Sequence, residues 1–149
     1  MIKILLIGIV LISTLSEAKA DPVNIPAGVE KLVNDFMGAL LIPVAEDAEK
    51  AILPYLHSTL INSEKTGLTR DVKEFGFKKA HGNAKLFTYP VKIERVQKFD
   101  QDGISLGSQK ELGDLYKIFI TKPGQMPAPL HVFIPKDGSK PMITYIGNL

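Results

Sequence analysis

The chain has 149 residues, with 18 Lys and Arg against 16 Asp and Glu, three His and no Cys. That length suits a single domain, and 45% hydrophobic with 23% charged residues is the balance of a globular chain rather than a disordered one. A net charge of +2 is too small to mark a nucleic-acid binder or a polybasic membrane surface. The lack of cysteine excludes a disulfide scaffold, a thiolate zinc site, an iron–sulfur cluster and a thiol nucleophile.

The first twenty residues read as an address. Lys3 precedes an unbroken apolar run from Ile4 to Ile12, Ser13 to Glu17 turns polar, and Ala18-Lys19-Ala20 has the small-x-small form of a cleavage site. This is the three-part pattern of a secretory signal peptide, cut after Ala20. The apolar run is too short to span a hydrocarbon core of about 30 Å, so no stable membrane span is expected after cleavage. The expected location is periplasmic or secreted, with one α+β domain over 21–149.

Asp21 to Pro26 is an extended, Pro-punctuated lead-in. Val29, Leu32, Val33, Phe36, Met37, Leu40 and Leu41 then recur at helical spacing and define one broad apolar face, with Pro43 beyond its end. A second helical stretch runs from about Ala45 to Ile61, acidic in its first turn and kinked or restarted at Pro54. Thr69 is an N-cap for a short helix from Arg70 to Lys79, closed by Gly82.

From Lys85 the period becomes two. Phe87, Tyr89, Val91 and Ile93 share one face of a strand, and the parity slips after Arg95 as at a β-bulge. Asp100-Gln101-Asp102-Gly103 reads as a turn and Leu112 to Thr121 as the next strand. A Pro-rich loop from Lys122 to Pro129, carrying Met126, leads to strands at Leu130–Ile134 and Met142–Ile146, joined by a hairpin turn at Lys136–Ser139. Helices before strands indicate an α+β fold. Two or three N-terminal helices pack on one face of a curved antiparallel meander of about four strands.

The apolar helix face from Val29 to Leu41, the kinked stretch Ala48 to Leu60 and the strand train from Phe87 to Ile146 resemble, in their order, the nuclear transport factor 2-like fold, the cystatin-like α+β roll. The short strand this fold often places between its second and third helices is missing unless Leu60-Ile61 supplies it. The resemblance implies a cone between sheet and helices that holds a small apolar ligand in some members and catalytic residues in others. It does not choose among enzymes, binding domains and assembly modules.

The chemistry-bearing residues are sparse. His57, His81 and His131 are too far apart for a His-x₃-His pair, and no HExxH, Walker, dinucleotide or nucleophile-elbow pattern occurs. Asp100-x-Asp102 with Glu111 lacks the ligand and glycine that a calcium loop requires, so neither a metal nor a cofactor is expected. Arg70, Lys73, Lys78 and Lys79 are interleaved with Asp71 and Glu74 and read as a solvated helix face. The candidate ligand-binding residues are Tyr55, His57, Asp114, Tyr116 and His131, with Asp114 and Tyr116 on one strand face. Together they point to a non-enzymatic domain that binds a small apolar ligand or an envelope protein. The alternatives are a cofactor-free isomerase or dehydratase with a base in the cone, and a homodimeric interaction module.

Overall fold

The computed structural model describes residues 23–149. The signal-peptide reading lies outside the described residues. The described chain is α+β, with its helices before a five-stranded antiparallel sheet.

Helix α1 (Val29–Leu40) buries Val29, Leu32, Val33, Phe36, Met37 and Leu40, the face that the periodicity defines save Leu41, which follows the last turn and is exposed. Helix α2 (Ala45–Ile52) is short and buries Ala48, Glu49 and Ile52. The helix does not continue through Pro54 to Ile61. It gives way to a 3₁₀ turn at Leu53–Tyr55 that begins around Pro54, because proline offers no N–H to the ladder. Leu56 and His57 are then extended. Leu56 bridges in parallel to Ile143, and the His57 N–H donates to the Ile143 carbonyl at 2.8 Å. A second 3₁₀ turn follows at Ser58–Leu60, and Ile61 forms an isolated bridge to Leu68.

Buried Glu49 ties the next loop down. Its Oε1 accepts from the Leu68 N–H at 3.2 Å and its Oε2 pairs with Lys73 Nζ at 2.7 Å. Thr69 caps the third helical segment, its Oγ1 accepting from the Val72 N–H at 3.5 Å. That segment is not a plain α-helix closing at Gly82. It is π-helical over Val72–Phe77 and passes into α3 (Lys78–Asn83), which contains Gly82. The wide turn fits against the sheet because Gly76 has no Cβ; one would stand 3.1 Å from Ile146 Cγ1.

The stretch from Phe87 to Val91 alternates in burial but pairs with no strand. The side chain of Asn34 on α1 takes the place of a neighbour: its Oδ1 accepts from the Val91 N–H at 2.8 Å. The Tyr89–Pro90 peptide is cis. The Tyr89 hydroxyl donates to the Ala84 carbonyl at 2.8 Å, and burial pushes its pKa up to about 12.

The strands are β1 (Ile93–Lys98), β2 (Gly103–Leu106), β3 (Gln109–Ile120), β4 (Ala128–Pro135) and β5 (Met142–Tyr145). Their order is β1-β3-β4-β5, with β2 also on β3. The four strands expected from the sequence therefore pair in chain order as an antiparallel meander, and a fifth, β2, is added to it. β1 and β2 run one after the other along the same edge of β3, pairing with its two ends. Gly103 begins β2 instead of closing a hairpin, and the hairpin turn falls at Gly107-Ser108. The β1 bulge lies between Ile93 and Arg95, ahead of its expected place.

One face of the sheet packs on the helices through Ile118, Ile120, Leu130, Val132 and Ile143. The alternate residues Leu115, Lys117, Phe119, His131 and Phe133 take the other face. On that face the Phe133 ring lies across Gly113; a Cβ at Gly113 would stand 2.4 Å from two ring carbons and 2.5 Å from the Ile134 carbonyl oxygen. Gly113→Ala is therefore expected to destabilise the fold by about 1–3 kcal/mol, as overpacking does. Denaturant unfolding of Gly113→Ala, Phe133→Ala and the double variant should give a coupled, non-additive cycle.

Candidate functional site

The five residues singled out in the sequence occupy four separate places. Tyr55 is half-buried and lines a groove with Leu32, Pro54 and Pro141, where Lys140 Nζ donates to the Pro54 carbonyl at 3.2 Å. Asp114 and Tyr116 do share a face, and Lys98 serves both: its Nζ is 3.0 Å from Asp114 Oδ1 and 6.0 Å from the Tyr116 ring centroid. His131 is on the opposite face between Phe99 and Tyr145, with ring centroids at 5.0 and 4.7 Å. Its pKa is held below the ordinary value of 6.5 by burial and, secondarily, by the Lys117 charge.

His57 is 1% exposed and belongs to a relay that its neighbours in sequence do not announce. The Thr59 N–H donates to its Nδ1 at 3.3 Å, which caps the 3₁₀ turn Ser58–Leu60. With Nδ1 an acceptor, the proton belongs on Nε2, which donates to Glu111 Oε2 at 2.9 Å. The Thr59 hydroxyl is also 3.0 Å from Nδ1, and the imidazole meets Phe133 edge-on at 5.6 Å between centroids. Hydroxyl, imidazole and carboxylate in this order resemble a nucleophile, base and orienting group. Here the Nδ1 lone pair is already engaged by a main-chain N–H and the ring is sealed, so the relay acts as a clasp between the 56–60 segment and β3. Glu111 has no local motif; only the pairing of β3 brings it 54 residues back to His57.

The arrangement best suited to binding lies on the other side of Leu60. Leu60, Val72, Ile146 and the main chain of Gly76 and Gly147 form the bed of an open groove of about 280 Å³. Phe75 stands at its edge, 77% exposed, with Asp71 and Tyr145 also lining it. The π-helical register turns Phe75 outward while Phe77 is only 2% exposed. The Tyr145 hydroxyl accepts from Asn148 Nδ2 at 3.0 Å, which fixes the ring. The sequence signal for this site was weak: an aromatic and a glycine adjacent in one helical segment, next to an apolar Phe77.

The carboxylates that faintly resembled a calcium loop are engaged elsewhere, Asp102 with Lys110 and Glu111 with His57. Among the described residues no group of three His, Cys, Asp or Glu could hold a metal ion, and no helix is long and apolar enough to cross a membrane. Comparison with protein-family models, with curated proteins and with solved structures finds no match to the chain.

Two outcomes follow from this geometry. Glu111→Gln keeps an acceptor for His57 Nε2 and should cost no more than about 1.5 kcal/mol, whereas Glu111→Leu leaves the buried donor unpaired and should cost about 1–3 kcal/mol more than that. Urea unfolding at neutral pH measures both. The depressed pKa of His131 means that the unfolded chain binds more protons than the native chain just below pH 6.5. Its stabilisation is complete above that pH and is lost as pH falls through the folded value. The carboxylates held low by ion pairs and hydrogen bonds, Glu74, Asp102 and Asp137, act only below their ordinary values, 4.5 for Glu74 and 3.8 for the two aspartates. The fall in stability contributed by His131 as pH drops below 6.5 should be absent from His131→Gln, as read from denaturation midpoints.

Proposed function

We propose that the mature chain is a non-enzymatic binding module acting outside the cytoplasm, and that the groove between the π-helical turn and β5 holds a protein partner of the cell envelope. The observation that carries this reading is Phe75, a large aromatic side chain 77% exposed at the edge of an apolar groove. The interior between sheet and helices is filled by fully buried Phe36, Met37, Leu40, Ile52, Ile118 and Ile143, which moves binding from a cone to the surface. The same succession of helices and curved sheet supports the reading as a nuclear transport factor 2-like roll, in a version whose cone is packed shut.

The occupant is one large apolar side chain of the partner, flanked by lysine or arginine. A groove of about 280 Å³ suits a single side chain better than a drug-sized ligand. Asp71 places a carboxylate beside the apolar bed, and its charge complements a basic flank. A peptide with phenylalanine between two lysines should shift the main-chain amide signals of Gly76 and Gly147 saturably. Glutamate in place of the lysines should weaken it at least tenfold, and so should Phe75→Ser. No saturable shift, or equal binding by Phe75→Ser, would overturn the proposal.

A further inference from the structure

A second site lies where the Pro-rich loop after β3 meets α3. Lys122 is only 9% exposed, and among the described residues its side chain makes no ion pair and no hydrogen bond. Its ammonium has an aromatic neighbour, Phe87, with the ring centroid 5.3 Å from Nζ. A ring face attracts a cation but does not neutralise it. Buried Glu49, by contrast, has its counter-group in Lys73. The stem of Lys122 is buried, but among the described residues only Thr144 Oγ1 is a sealed polar atom without a partner, so the Lys122 ammonium opens on solvent with no counter-charge and can meet an anion there.

Lys122 lines a groove of about 500 Å³ together with Lys79, Asn83, Gln125 and Asn148. The lining therefore brings two cations and three amides to one place, and no aspartate or glutamate is among the lining residues. Asn83 Nδ2 donates to the Leu149 main-chain oxygen at 3.0 Å, which fixes that wall. The remaining walls include Leu86 and Met126, exposed by 42% and 87%, and prolines that stiffen the loop. Donors at one part and exposed apolar surface at another are the two halves of a site for an amphipathic anion.

We propose that this groove binds a small organic oxyanion, a carboxylate or phosphate head held by Lys122 and Lys79 with an apolar body along Leu86 and Met126. The proposal is independent of the Phe75 groove. Calorimetric titration of the full chain with octanoate, octyl phosphate, inorganic phosphate and octanol tests it. Octanoate or octyl phosphate should bind at least tenfold more tightly than octanol and than inorganic phosphate, and the tighter of the two identifies the head. Lys122→Met, which keeps the packing on Phe87, should weaken binding at least tenfold. Lys79→Glu, on the exposed side of α3, should do the same in a chain whose fold it does not touch, while Phe75→Ser should bind normally. Binding that is equal for octanol, unaffected by Lys79→Glu, or absent for both alkyl anions would overturn the proposal.

Discussion

The seat of Phe133 on Gly113 constrains more of this molecule than any other contact. Both residues lie on the sheet face away from the helices, and the ring can lie flat on β3 only because Gly113 has no side chain. The same ring receives the edge of His57, and His57 is held in one tautomer by Thr59 on one side and Glu111 on the other. These contacts fasten the 56–60 segment to the sheet, where Leu56 extends the pairing beyond β5. The wall that Leu60 contributes to the Phe75 groove is positioned by the same clasp. A polar pair in the interior of this kind adds little net stability and much definition of place, since any other arrangement would strand a buried donor.

With the helix-facing side of the sheet solidly packed, what remains for binding is surface. The Phe75 groove is built from three segments far apart in sequence, Leu60, the π-helical turn and the end of β5. The Lys122 groove is built from α3, the Pro-rich loop and the last residues of the chain. Both present fixed walls, through glycine contacts in one and prolines in the other, and rigid walls reduce the ordering cost of association. The two grooves differ in chemistry. One is apolar with a carboxylate beside it, and the other is cationic with apolar flanks.

What the sequence made legible was whatever repeats locally. The face of α1 is readable because six apolar side chains recur over three turns, Leu41 only seeming to continue the series, and strands β4 and β5 are readable from short apolar runs bounded by turn residues. The misreadings have particular causes. Phe87 to Val91 has a strand's alternation, yet Asn34 of α1 satisfies its main chain, and no local pattern could reveal a partner 57 residues away. Pro54 announced a disturbance but not whether the helix would bend or stop; the pairing of Leu56 with Ile143 decided that. β2 was missed because Asp102-Gly103 has the composition of a turn, while the sheet uses Gly103 as a strand residue. His57 was visible as a candidate and Glu111 as a strand carboxylate, but their meeting depends on the register of β3. Met126 and Lys122 belong to one Pro-rich loop, yet one side chain is exposed and the other mostly buried, a difference set by tertiary packing that the loop's composition does not carry.

The proposed recognition takes place at the surface beside Phe75, by capture of an apolar side chain with a basic flank. The most direct measurement is photo-crosslinking in cells that make the protein, with Phe75→p-benzoylphenylalanine compared with Leu41→p-benzoylphenylalanine, which is exposed on another face. If the Phe75 groove holds such a partner, a discrete adduct forms from position 75 only and maps to a partner segment in which a large apolar residue adjoins lysine or arginine. Equal labelling from both positions, no adduct from position 75, or an adduct between two copies of this chain would contradict it.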